Sequence, residues 1–102
     1  MFEHTDRRYV SSAIAEELHP EIMVILWRLI DTKKHLNVEL DYQQVFELTE
    51  SNDKQVIIHR QEVPPMKSFR ILPLQDTKPI NRTVWCMDMG EEGQMMLFPE
   101  DY

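Results

Sequence analysis

Three features of the sequence predict an α+β fold, with one main helix packed on a mostly antiparallel sheet of five or six strands. One long segment, from about Pro20 to Lys34, carries helical periodicity. Several short, alternating apolar segments surround it, and polar or Pro/Gly-containing turns separate them. At 102 residues the chain has the length of a single domain, residues 1–102, with one core.

The first element expected is a strand over RYVSSAI, Arg8 to Ile14, because Tyr9 and Val10 favour extended backbone. The helix follows. Pro20 suits a first helical position, Glu21 the positive end of the dipole, and Lys33, Lys34 and His35 the negative end. Its apolar surface is wide: Ile22, Ile25, Leu26 and Leu29 form one stripe, and Met23, Trp27 and Ile30 form a second beside it. Leaving that second stripe in water would forgo several kcal/mol, at roughly 1.5–3 kcal/mol for each large side chain. Either the rest of the chain or a partner must cover it, which makes Met23, Trp27 and Ile30 candidate partner-binding residues.

A hairpin is expected next, with strands over Tyr42–Thr49 and Lys54–Val63 joined by Glu50-Ser51-Asn52-Asp53. Pro64-Pro65 breaks the chain, Phe69–Leu72 restarts it, and Ile80–Met89 forms a further strand. Gly90-Glu91-Glu92-Gly93 then turns the chain into Met95–Phe98. With the first hairpin centred between Ser51 and Asn52, His59 faces Gln44 and Gln61 faces Tyr42. Tyr42, Gln44, Phe46, Leu48, Ile57, His59 and Gln61 share one side of the sheet, and Asp41, Arg60 and Glu62 lie on the other.

That alternation bears on His59-Arg60-Gln61-Glu62, the polar quartet ending the second strand. A histidine near a carboxylate is common catalytic equipment, but general acid–base partners need hydrogen-bond reach, and alternation sends His59 and Glu62 to opposite faces. The quartet reads first as the solvated end of an antiparallel strand. A ligand or partner contact through Tyr42, Gln44, His59 and Gln61 is the functional reading. The enzyme alternative is a small hydrolase or isomerase using His59 with Asp41 or Glu62.

Composition narrows the field. Eighteen acids against eleven bases give a net charge of −7, which repels phosphate backbones and anionic lipid and disfavours nucleic acid as a partner. The charge is uneven: residues 51–87 hold six bases against three acids, while Asp88, Glu91, Glu92, Glu100 and Asp101 leave the end acidic. An acidic inhibitor that mimics nucleic acid is therefore a further alternative, with the cationic middle against it. Cys86 is the single cysteine, so no intramolecular disulfide or cysteine-rich zinc site can form, and a reducing cytoplasm is the expected compartment. The apolar run from Ile22 to Ile30, interrupted by Arg28, is too short to cross a bilayer, and no apolar leader opens the chain.

Metal and cofactor signals are missing too. His4, His19, His35 and His59 lack ligand spacing. Met87, Met89, Met95 and Met96 near Cys86 could be imagined around monovalent copper, but thioethers against aromatic rings are ordinary core packing. The expected turn pairs Trp85 with Phe98 and Met87 with Met96, placing Cys86 on the other face. No catalytic residues, metal or cofactor are assigned.

RYVSSAI, ILWRLID, LDYQQVFEL and QVIIHRQEVP together resemble a small Firmicutes family catalogued as domain of unknown function 960, over roughly Tyr9 to Pro64. The resemblance implies a bacterial, cytoplasmic protein and carries no activity or residue role. The function expected is a small cytosolic, non-enzymatic interaction or accessory protein that self-associates or binds another protein.

Overall fold

The computed structural model describes residues 1–102. It has one main helix on a six-stranded, mostly antiparallel sheet. Strand β1 (Arg8–Val10) is shorter than expected because Ser11 caps helix α1 (Ser12–Glu17). Ser11 keeps extended dihedrals while its hydroxyl accepts the Ile14 amide at 3.1 Å. That bond satisfies one orphan donor of the first turn, so Ser-Ser-Ala opens a helix where strand propensity alone would continue the strand.

Helix α2 (Pro20–His35) starts and stops where its end signals place it. Its N-cap is His19, whose Nδ1 accepts the Glu21 amide at 3.0 Å. The most deeply buried positions are Ile22, Leu26 and Ile30, so the core-facing line runs between the two stripes drawn from sequence. Met23, Ile25, Trp27 and Leu29 flank it, half-buried against the core.

Strands β2 (Gln43–Ser51) and β3 (Lys54–Gln61) form the expected hairpin, with a different centre. Asn52 and Asp53 both adopt left-handed φ values, 52° and 62°, and make a two-residue turn. His59 therefore lies opposite Phe46 instead of Gln44. The pairing differs by two residues, an even number, so every side chain keeps its expected face. Strand β4 (Met66–Leu72) adds to β3 as the outer edge.

Strands β5 (Arg82–Asp88) and β6 (Gln94–Leu97) differ from expectation by an odd step. A 3₁₀ turn over Gly90–Glu92 and the strained Gly93 (φ 109°) leave five residues between the strands, so Cys86 pairs with Met96 and Met87 with Met95. Cys86, paired with Gln44 on β2, faces inward opposite to Trp85 and Met87 as alternation requires; the odd step brings Met96 to its side, and it is the Trp85 and Met87 face, expected to pack in the core, that lies outward. A Cβ on Gly93 would run into the Arg7 carbonyl, which receives the Gln94 amide at 2.8 Å. That close approach is what lays β1 parallel beside β6 and completes the order β1-β6-β5-β2-β3-β4.

One apolar cluster fills the space between α2, α1 and the inner face of the sheet, including Phe2, Ile14, Leu26, Phe46, Ile57, Val84, Cys86, Met96 and Phe98. The acidic end is part of the fold. Phe98 is buried, and Asp101 Oδ2 accepts both the Ser11 hydroxyl at 2.7 Å and the Phe98 amide at 3.0 Å. The Arg82 guanidinium lies 3.6 Å from the Phe98 ring centroid and reaches Glu100 at 2.8 Å.

Candidate functional site

The polar quartet is not a solvated strand end. His59 and Gln61 share the inner face with Phe46, Leu48 and Ile57, and both are buried, together with Gln44. The three side chains form a chain of hydrogen bonds. Gln44 Nε2 donates to the Asp41 carbonyl at 2.8 Å and to Gln61 Oε1 at 2.7 Å. Both amide donors face acceptors, so Gln44 Oε1, 2.7 Å from His59 Nε2, must accept, and the imidazole is protonated on Nε2. Gln61 ties down the chain on either side: its Nε2 donates to the carbonyls of Glu39 and Pro64, and its Oε1 also accepts the Asp41 amide.

His59 Nδ1 has no partner and is shut away from water. The ring stacks on Phe46, with centroids 4.3 Å apart and planes inclined by 23°. A proton on Nδ1 would bury a charge in this apolar setting, so burial, with the positive charge of Lys33 added, lowers the pKa from 6.5 to about 4. The imidazole is neutral at pH 7. It touches neither candidate carboxylate: Asp41 accepts the amides of Tyr42 and Val63, and Glu62 is exposed on the opposite face. Of the four residues suggested as a contact surface here, Tyr42 alone is exposed; Gln44, His59 and Gln61 are interior. Their placement was legible in principle, since parity aligned them with Phe46 and Leu48.

The second stripe of α2 is also engaged within the chain. Ile30 is fully buried, and Met23 and Trp27 pack against the core cluster. Arg8 covers the Trp27 ring from 4.5 Å, makes a two-pronged contact with Asp31, and donates from Nε to Gln94 Oε1 at 2.7 Å. Gln94 Nε2 is buried without a partner. Cys86 is fully buried, and burial raises its thiol well above the usual range. No three of His, Cys, Asp and Glu converge as a metal site would require. Surface depressions of about 370–480 Å³ exist, and none is lined by His59 or Cys86.

No α-helix covers the outer face of the sheet, and at the C-terminal end the Tyr102 ring meets Trp85 edge-on with centroids 5.9 Å apart. The side chains of this face form rows across the strands: Tyr9, Met95, Met87 and Gln43; then Leu97, Trp85, Val45, Arg60 and Lys67. Next come Thr83, Glu47, Ile58 and Phe69, and finally Thr49, Val56 and Ile71. Phe69 is 57 % exposed and Ile71 50 %, whereas Val45 and Val56 lie low between their neighbours at 5 % and 8 %. Arg60 Nε meets Glu47 Oε1 at 2.5 Å diagonally across β2 and β3. Sequence reasoning missed this face because it looked for a surface on the helix.

The family model described as a staphylococcal protein of unknown function, DUF960, matches residues 7–101. The chain belongs to the DUF960 family. A crystal structure of a protein of unknown function from Enterococcus faecalis is similar to it, with a TM-score of 0.85 and 24 % identity over 100 % of this chain and 98 % of that one. At that identity the likeness establishes the fold. No curated protein matches. The DUF960 match spans every strand of the sheet and both helices, and so includes the outer face as well as the buried polar chain.

Proposed function

We propose that this DUF960 protein is a small cytoplasmic, non-enzymatic interaction module whose working surface is the outer face of its sheet. The observation that carries this reading is the row structure of that face, where Tyr9, Trp85, Ile58, Phe69 and Ile71 stand over a sheet that no helix covers. Large contiguous apolar patches on soluble proteins usually mark contact sites. Support also comes from the residues with chemical potential. His59 and Cys86 are sealed in the core, and a nucleophile or base there has no route to substrate. A hydrolase or isomerase built on His59 with Asp41 or Glu62 gains no support from an imidazole that meets Gln44. An acidic mimic gains none either, because Asp31, Glu47 and Glu100 are held by arginines. No helix is long and apolar enough to cross a membrane.

The test is affinity capture from native cytosol with the wild type, Phe69→Lys and His59→Gln. The expected result is a stoichiometric protein held by the wild type and by His59→Gln and released by Phe69→Lys. Retention by Phe69→Lys would overturn the reading.

A further inference from the structure

Little of the chain's −7 charge falls on the apolar outer face of the sheet. Of the eighteen acids, Glu47 alone falls in the paired rows of the outer face, where Arg60 is against it at 2.5 Å, and Glu62 adds one exposed acid just past the end of β3. Lys67 is the other charge in those rows, and it makes no ion pair. The outer face is thus close to neutral, while most of the acids lie on the loops, the helices and the inner-facing strand ends. Two copies meeting through this face would not oppose net negative charge.

The face also carries apolar side chains that a second copy would take out of water. Phe69 and Ile71 project from the β4 edge, while Val45 and Val56 lie low on the central strands. A two-fold axis through the face lets the exposed Phe69 and Ile71 of each copy be covered by the other, as an isologous contact allows. Six strands spaced by about 4.8 Å and some seven residues at about 3.3 Å make a plane of roughly 24 by 23 Å. Side-chain relief adds to that footprint, so full contact approaches the roughly 800 Å² per partner of a standard stable interface.

We infer that the outer sheet face binds a second copy of this chain, the two sheets stacking face to face into a helix–sheet–sheet–helix dimer. This rests on the interaction-module reading and names its partner. Trp85, Val45 and Ile58 lie towards the middle of the face, Phe69 and Ile71 flank them on β4, and the Arg60–Glu47 pairs add no net charge. Facing sheets in such a stack interdigitate at about 10 Å.

Sedimentation equilibrium of the purified full chain across a wide concentration range tests it. The expected result is a dimer for the wild type and for Val24→Lys, an exposed α2 position far from the face. Phe69→Lys and Ile71→Lys should each weaken it by about tenfold or more. Both positions are half-exposed in the single chain, so circular dichroism and the melting midpoint at concentrations where every variant is monomeric should match the wild type. Trp85 emission should shift to the blue on association in the wild type only. A wild type that stays monomeric throughout would overturn the dimer while leaving capture of another protein by the same face intact. A dimer that survives both lysine substitutions would overturn it as well. So would a monomer whose Phe69 is needed to bind a single-stranded oligonucleotide.

Discussion

The two faces of the sheet treat polar and apolar side chains in opposite ways. The inner face, under α2, has enclosed His59, Gln44, Gln61, Gln55 and Gln94 with its apolar residues, and pairs most of their polar atoms. The outer face leaves Phe69, Ile71 and Tyr9 in water and pairs Glu47 with Arg60, with Lys67 unpaired beside them. Burial follows from what covers a face more than from the hydropathy of its residues. Where a helix closes over a strand, an amide is retained if it satisfies backbone groups at the strand ends, as Gln61 does for Glu39 and Pro64. With nothing above it, even a phenylalanine stays exposed.

Substitutions can break that contrast, and the largest effect belongs to the inner face. Phe46→Ala removes a fully buried ring and the stacking partner of His59, and should cost about 3–5 kcal/mol in chemical denaturation. A cost as small as that of an exposed position would mean the inner face is looser than its packing implies.

Acid comes next. The His59 pKa is depressed to about 4 in the folded chain, so the unfolded chain takes up a proton first, near 6.5. Stability from this group is complete above pH 6.5 and falls as the pH drops toward 4, by roughly 3 kcal/mol in total. His59→Leu should flatten that part of the pH–stability curve, with the contribution of the carboxylates common to both proteins. Parallel curves for the two proteins would place His59 in a more hydrated setting than the buried chain describes.

Trp27 lies between the two regimes, half-buried against the core and capped by Arg8. Trp27→Ala should lower stability by about 2 kcal/mol, less than a fully buried tryptophan would cost. Calorimetry with Arg8→Ala sharpens the comparison, because the pair should prove non-additive if the guanidinium covers the ring.

The smallest effect is expected at Glu62, which shares the strand end with His59 but not its face. Glu62→Gln should change stability by at most about 0.5 kcal/mol, and its effect should add to that of His59→Ala within the same margin. A double-mutant cycle by denaturation measures it, and a larger coupling would reopen the case for a histidine–carboxylate unit.

The sequence by itself determined the α+β class, the limits of α2, the first hairpin and the side of the sheet on which each of its residues sits. Local chemistry governs these: a proline and charged turns bound the helix, and alternation along a strand survives an even shift in pairing. Tertiary structure decided the rest. The odd spacing across Gly90–Gly93 shifted β6 by one residue against β5, pairing Cys86 with Met96, because the turn is shaped by the close approach of Arg7, which no short window of sequence contains. The enclosure of His59, Gln44 and Gln61 depended on α2 closing over that end of the hairpin and on backbone acceptors at Glu39, Asp41 and Pro64. Alternation sorts side chains into two sets; only the packing of the whole chain selects which set leaves water.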